Sequence, residues 1–325
     1  MGINSPDNLP LLKGDTCASY APGCSADETP HICVCICTYK RPQYLRRLIT
    51  KLALQETNEL FTFSVVVVDN DRLRSAEPIV QELASVCQIS IRYFLEPKQN
   101  IAMARNKAVS NASGHFIAFI DDDEFPENRW LLTLFQACRK HDVDGVLGPV
   151  KPYFEEGVPC WVIKGKFYDR PSHSTGSMIP WKKCRTGNLL IRRAVLAGIN
   201  EPFRAQFQSG EDQDFFRRMI EKGHVFTWCE EGVVYEVVPP LRWKRSFMLK
   251  KALHRGAATP LHPTFGFSDI CKSVIAVPLY TLALPFTLVL GHHRFMVLLV
   301  KLCDHLGKLL ACLGIRPIKV AYVTE

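Results

Sequence analysis

The sequence lacks a repeated Cys-x-x-Cys spacing, which removes the common structural zinc frameworks although thirteen cysteines are present. An odd cysteine count in a chain of 325 residues also argues against a disulfide scaffold, the device of short secreted domains. Reduced thiols are expected, as in the cytosol. Cys33, Cys35 and Cys37 alternate along an apolar stretch, so all three share one strand face, where a free thiol acts as a small hydrophobe. No basic segment followed by an apolar run opens the chain, so a cleaved signal peptide is not expected. Residues 1–30 lack hydrophobic periodicity and carry Pro6, Pro10, Gly14, Pro22, Gly23 and Pro30, the composition of a mobile tail. Acids are missing from Arg242 to Arg255, and every charge is missing from Ser273 to Gly291.

What is present is a turn of four acids, Asp121, Asp122, Asp123 and Glu124, directly after the apolar run Phe116 to Ile120. Adjacent carboxylates beside a core strand are costly unless a cation or hydrogen-bond donors compensate them. Their oxygen-only chemistry suits Mg²⁺ or Mn²⁺, with substrate phosphates supplying further ligands. A solvated acidic turn is the plainer alternative. Upstream, Ile32 to Cys37 predicts a first strand, Tyr44 to Leu54 a helix and Phe63 to Val68 a second strand covered on both faces. This β-α-β unit brings Asp69 and Asn70 to a strand's carboxyl end, where open α/β sheets bind ligands. Ile79 to Val86 predicts another helix and Ile89 to Leu95 a third strand. Asn100 caps a further helix that carries Arg105 one turn in, able to pair with pyrophosphate or to brace the acidic turn.

In order, Cys37-Thr38-Tyr39-Lys40-Arg41-Pro42, Val68-Asp69-Asn70, Ala104-Arg105-Asn106 and Phe119-Ile120-Asp121-Asp122-Asp123-Glu124 resemble family 2 glycosyltransferases of the GT-A fold. Thr186-Gly187-Asn188-Leu189-Leu190 resembles that family's acceptor-side strand, and Gly210-Glu211-Asp212-Gln213-Asp214 its Glu-Asp motif. The likeness covers about residues 31 to 240, and within the family it is nearest to bacterial enzymes of succinoglycan type. It implies a Rossmann-like mixed sheet flanked by helices. It also implies that Thr38, Tyr39, Arg41 and Asp69 hold uracil and ribose. By the same resemblance Asp123 ligates an Mg²⁺ or Mn²⁺ that bridges the diphosphate. Asp121 then lies nearer the ribose and the metal's waters, while Asp122 stays open, because a side chain in a turn can face either way.

Transfer from a nucleotide sugar builds negative charge on the departing diphosphate and positive charge at the anomeric carbon. A carboxylate on the opposite sugar face must accept the proton of the attacking hydroxyl. The resemblance gives that task to Asp212, with Glu211 beside it in a helix's first turn, where acids also serve as plain caps. One displacement with no second nucleophile implies inversion, a β-linkage from an α-linked donor. Gly187, Asn188 and Trp181 are expected on the acceptor side, and Trp161, Tyr168 and Trp181 either stack on sugars or fill the core. Val233 to Val238 predicts the strand that closes the domain.

After Pro239 and Pro240 the character changes. Arg242, Lys244, Arg245, Lys250, Lys251 and Arg255 precede the nineteen uncharged residues Ser273 to Gly291, long enough to cross a bilayer although Pro278 and Pro285 would kink a helix. Lys301, Asp304, His305 and Lys308 form one polar stripe on an apolar helix, a pattern suited to the membrane interface. Residues 241–325 are therefore expected to associate with the anionic cytoplasmic face of the cell membrane, as a bent hairpin, a span or a core helix. The expected activity is transfer of a hexose, glucose first, from a UDP-sugar to a saccharide on a polyprenyl-diphosphate lipid. A non-catalytic scaffold of a glycan assembly complex and a nucleotidyltransferase are the competing classes. Nucleic acid is not expected as a partner, because the basic stretch abuts an apolar segment rather than interleaved recognition residues.

Overall fold

The structure is a computed structural model that describes residues 29–207, 210–261 and 265–315. The expectation of a mobile tail therefore lies almost wholly outside the described residues. Strand and helix alternate through β1 (His31–Thr38), α1 (Pro42–Leu52), β2 (Thr62–Asp69), α2 (Glu77–Val86), β3 (Ser90–Leu95), α3 (Ile101–Asn111) and β4 (Phe116–Ile120). The next segment holds β5 (Glu124–Pro126), α4 (Trp130–Lys140), β6 (Gly145–Leu147), β7 (Val150–Tyr153), the short α5 (Cys160–Lys164) and β8 (Asn188–Arg192). Then come α6 (Glu211–Glu221), β9 (Phe226–Trp228), β10 (Val234–Val237), α7 (Pro240–Trp243), α8 (Arg245–Ala258), α9 (Phe267–Val289) and α10 (His292–Cys312).

Seven strands form one mixed sheet in the order β3-β2-β1-β4-β8-β6-β9. β1 pairs in parallel with β2 and β4, whereas β8 runs antiparallel between β4 and β6. Both faces of this sheet are covered. Ile32, Val34 and Ile36 point into a core with α1, α2 and α4, while Cys33 and Cys35 point into a second core with α3 and α6. That two-sided burial explains the unbroken valines of β2, since a strand without a wet face has no reason to alternate. The described cysteines are free thiols.

One expected element changes place. Val233 to Val238 does hold a strand, but β10 lies in a small separate sheet between β5 and β7, and β9 is the strand at the edge of the large sheet. The small sheet begins at Glu124, so the acidic turn is the hinge between the two sheets.

The C-terminal helices depart further from expectation. α9 is continuous through Pro278 and Pro285, and α10 returns alongside it, packed on one side against α9 and on the other against α8. Gly256 and Gly307 allow the α8 crossing, because a Cβ on Gly256 would stand 2.0 Å from the Asp304 carbonyl oxygen and one on Gly307 2.2 Å from that of Leu253. Part of the polar stripe of α10 meets neighbouring helices, while Lys301 is exposed. Asp304 pairs with Arg255 of α8 at 2.9 Å and with Lys308 at 3.6 Å, and His305 Nδ1 lies 2.9 Å from Ser273 Oγ of α9. A stripe of polar residues at helical spacing fixes which residues share a face, and here α8 and α9 meet Asp304 and His305.

Candidate active site

β1 and β4 are neighbours, so the loops that leave their carboxyl ends meet, and the acidic turn lies against Thr38 to Arg41. Together they wall a cleft of about 260 Å³, lined also by Asn70, Arg105 and Glu236. Asp122 faces inward. Its Oδ2 accepts from Thr38 Oγ1 at 2.8 Å and its Oδ1 from Arg41 Nη1 at 3.1 Å. Burial, and then the charge of Asp123, push the Asp122 carboxyl up to about 7 against the pull of Arg41 and Thr38. Asp123 Oδ2 accepts from Arg41 at 3.2 Å and from Arg242 of α7 at 2.8 Å.

Arg105 is buried and links the two acidic motifs. One arm of its guanidinium hydrogen-bonds Glu211 and the other lies 3.5 Å from Asp121. Burial raises the pKa of Glu211, and Arg105 opposes that rise. A rigid fork between two carboxylates fixes the distance between the acidic turn and the start of α6. Asp212 stands differently. Its Oδ1 accepts from the Gln213 amide at 2.7 Å, and its nearest cation is Arg185 Nε, 4.0 Å from Oδ2. Glu211 is thus tied to Arg105, while Asp212 keeps an oxygen without a close cation. Asp212 is not among the residues that line the cleft, although its neighbour's partner Arg105 is.

Thr38, Tyr39, Arg41, Arg105 and the three aspartates are brought together. Asp69 is not with them. It is fully buried, and its oxygens accept from the amides of Asp71 at 2.9 Å and Ala76 at 2.8 Å, so it shapes the turn into α2. The cleft is lined instead by Asn70, whose Oδ1 accepts from the Asn100 amide at 2.9 Å and so holds the start of α3.

On the other side of the turn, Gly187 lies against carboxylates: a Cβ there would stand 2.8 Å from Glu124 Oε1 and 3.0 Å from Asp121 Oδ2. Glu124 is buried, its Oε1 has no hydrogen-bond partner, and burial raises its pKa well above the usual carboxylate range. Asn188 is also buried and donates to the carbonyls of Pro149 at 3.0 Å and Gly232 at 2.7 Å, while accepting from Trp130 Nε1 at 2.8 Å. Its amide staples β8 to two loops, which leaves Gly187 as the member of the pair that meets the acidic turn. Trp181 packs against the core that contains α6, at the edge of the Asp212 region. Trp161 and Tyr168 lie elsewhere, at the seam with the C-terminal helices, where Tyr168 donates to the Arg242 carbonyl at 2.6 Å.

Three participants carried no readable motif. Glu236 of β10 lines the cleft and pairs with Arg170 and, at 2.8 Å, with Arg242. Arg242 had the look of a membrane-facing charge, yet its side chain is only 12% exposed and it belongs to the acidic site. The signal that could have flagged it is its place beside Trp243, a large aromatic that packs with Val162, Val238 and Met248.

The donor set fits a hard divalent cation in part. Asp121 and Asp123 offer carboxylate oxygens at the cleft, but among the described residues no group of three or more His, Cys, Asp or Glu is gathered that could hold a metal. Such a set suits Mg²⁺ or Mn²⁺ shared with substrate phosphates, for which few protein ligands suffice.

An α/β sheet with a cleft at its carboxyl edge and an acidic turn in that cleft is the arrangement of a ligand-binding α/β enzyme. Residues 33–199 match the family model described as glycosyl transferase family 2, and the chain belongs to that family and is a glycosyltransferase. The succinoglycan biosynthesis protein ExoM of Rhizobium meliloti is 34% identical over 235 residues, covering 71% of this chain and 74% of that protein. The glycosyltransferase AglE of Haloferax volcanii is 23% identical, covering 63% of this chain and 66% of that one. Among solved structures, residues 1–349 of Staphylococcus aureus TarS in complex with UDP superpose with a TM-score of 0.49 at 17% identity, over 90% of this chain and 94% of that one.

Proposed function

We propose that the protein is an inverting, metal-dependent hexosyltransferase that moves glucose from a UDP-sugar to a polyprenyl-diphosphate-linked saccharide in exopolysaccharide synthesis. The observation that carries this is the Arg105 bridge, which from the wall of the cleft joins Asp121 of the acidic turn to Glu211, the neighbour of Asp212. A metal at Asp121 and Asp123 would supply charge neutralisation for the departing diphosphate. Thr38, Tyr39 and Arg41 hold the nucleotide beside the acidic turn. Asp212, whose nearest cation is Arg185 at 4.0 Å, accepts the acceptor hydroxyl's proton, and Glu211, bonded to Arg105, holds the start of α6 against Asp121 of the acidic turn. Arg41 and Arg242 balance Asp123, so a cation bound there would take over charge that these two guanidiniums now neutralise. The succinoglycan relative supports a polymer-building role, and the exposed apolar face of α9 supports work at the cytoplasmic membrane surface.

The test is calorimetric titration of the detergent-solubilised full chain with UDP, with and without Mn²⁺, against ADP and GDP. UDP-selective binding that needs Mn²⁺ and is lost in Asp123→Ala is the expected result. Equal affinity for the three nucleotides, or no dependence on the ion, would remove the donor assignment.

A further inference from the structure

A second cavity of about 190 Å³ lies on the far side of Glu236, between the Phe167–Arg170 segment and the C-terminal helices. Met248, Lys251, Ala252 and Arg255 line it from one face of α8, at the i, i+3, i+4, i+7 spacing of a helix stripe, and Val300 of α10 closes it. Its walls are of two kinds. Arg170, Lys251 and Arg255 bring positive charge, and Phe167, Met248 and Val300 bring an apolar surface.

The charges are not balanced from within. Glu236 is already shared between Arg170 and Arg242, and Asp304 between Arg255 and Lys308. Asp169, the other acid of the lining, is exposed, as are Arg170, Lys251 and Arg255, so the cationic wall of the cavity is open to an incoming anion. Lys251 has no ion-pair partner among the described residues. Desolvation and the charge of Arg242 favour loss of its proton, Glu236 opposes this, and Arg170 and Arg255 add to it. An anion seated beside Lys251 would relieve that crowding of cations. Nucleotides have no call on the apolar half of the cavity, whereas an amphiphilic phosphate uses both halves.

We propose that this cavity binds the diphosphate and first isoprenoid unit of the lipid-linked acceptor, with Lys251, Arg170 and Arg255 as its phosphate ligands. The inference rests on the glycosyltransfer reading above and names where the acceptor's lipid end is held. Two further observations point to a lipid rather than a free phosphate. α10, which closes the cavity, carries on its other side α9, whose Ile275, Leu279, Leu282 and Phe286 are exposed, so hydrocarbon is expected within one helix of the site. Glu236 lines both cavities, so a lipid held here presents its saccharide at the margin of the donor cleft.

The experiment titrates the full chain in detergent with geranylgeranyl diphosphate and, separately, with inorganic diphosphate, each in the presence of saturating UDP and Mn²⁺. The prenyl compound is expected to bind under these conditions and more tightly than inorganic diphosphate. Lys251→Gln should weaken it by about tenfold or more, the size of one charge-assisted hydrogen bond, and Lys251→Arg should restore it. Affinity for UDP with Mn²⁺ should be the same in all three proteins, which separates the two cavities and reports an intact fold. Unchanged prenyl diphosphate binding in Lys251→Gln, or its complete displacement by UDP, overturns the proposal while leaving the donor site standing. Equal affinity for both diphosphates overturns the lipid assignment. Loss of UDP binding in the parent protein would instead count against the glycosyltransfer reading itself.

Discussion

Asp212 and Gly187 are the two residues whose replacement separates chemistry from architecture. Asp212→Asn keeps the shape of α6 and the Gln213 hydrogen bond but removes the base, so UDP affinity with Mn²⁺ should persist while sugar transfer falls by about a hundredfold or more. A radiolabelled transfer assay beside a UDP titration checks both halves, and unchanged turnover would remove Asp212 from the reaction. Gly187→Ala should act in the opposite sense. Its new methyl would press on Glu124 and Asp121, neither of which can retreat into an apolar wall without cost, so metal-dependent UDP affinity should drop by about tenfold. A Kd unaffected by the methyl would mean that the acidic turn has slack. At this scale the sequence was readable where chemistry is concentrated. Four acids abutting a core strand announce themselves, and so does a Glu-Asp pair at a helix start. Asp69 and Asn188 were less legible, because their place at a strand end can be read from pattern but the direction of their hydrogen bonds cannot. Single charges such as Arg170 and Glu236 sit in segments without periodicity, and only the fold brings Glu236 to the cleft and Arg170 to Glu236.

Among the elements, α8 and α10 make the tightest contact of the C-terminal part. Backbone meets backbone there because Gly256 and Gly307 lie on the facing surfaces. Gly307→Leu should lower the melting temperature by several degrees, since overpacking costs roughly 1–3 kcal/mol and each kcal/mol is worth about 2–4 °C in a domain of this size. A thermal melt followed by UDP titration at low temperature tests this, with UDP binding retained below the transition; an unchanged melt would show that the helices can part freely. The helices of the sheet are legible from their 3.6 period and its strands from continuous apolar runs, as expected where both faces are covered. The exchange of β9 and β10 was not, because both are short apolar runs and nothing in such a run says which sheet will receive it. The protein partners of the α10 stripe are hidden for a related reason: Lys301, Asp304, His305 and Lys308 mark a polar face, and polarity does not distinguish a salt bridge to α8 from a lipid headgroup.

For the molecule as a whole, the arrangement of α9 decides how it meets a membrane. This helix is long and apolar enough to span, with a mean hydropathy of 1.6, and it is mostly exposed. Yet α10 runs beside it with Arg294, Lys301, Asp304 and Lys308, and α10 is joined through glycines to the cationic α8. A spanning α9 would draw that whole charged layer into hydrocarbon, so an in-plane position with the exposed face of α9 in the headgroup region is expected. In a chain whose exposed Cys160 and Cys312 are replaced by serine, cysteines introduced at Lys272, near the start of α9, and at His293, in the first turn of α10 just past the other end of α9, should both react with a membrane-impermeant maleimide added to the outside of vesicles carrying the bound protein. Protection of one end alone would establish a span. Leu282→Asp should release the protein from vesicles of anionic lipid without altering UDP affinity.

Arg242 gives the boundary at residue 240 a practical meaning. The sequence changes character there, which makes it the natural place to cut when a water-soluble enzyme is wanted. A chain ended at that point would lose the guanidinium that neutralises Asp123 and the indole of Trp243 along with the apolar α9. An inactive truncate would therefore be uninformative about anchoring, because two functions leave together. Solubility is better sought by recolouring the outer face of α9 with polar side chains, which keeps the acidic cleft and its distant arginine in one piece.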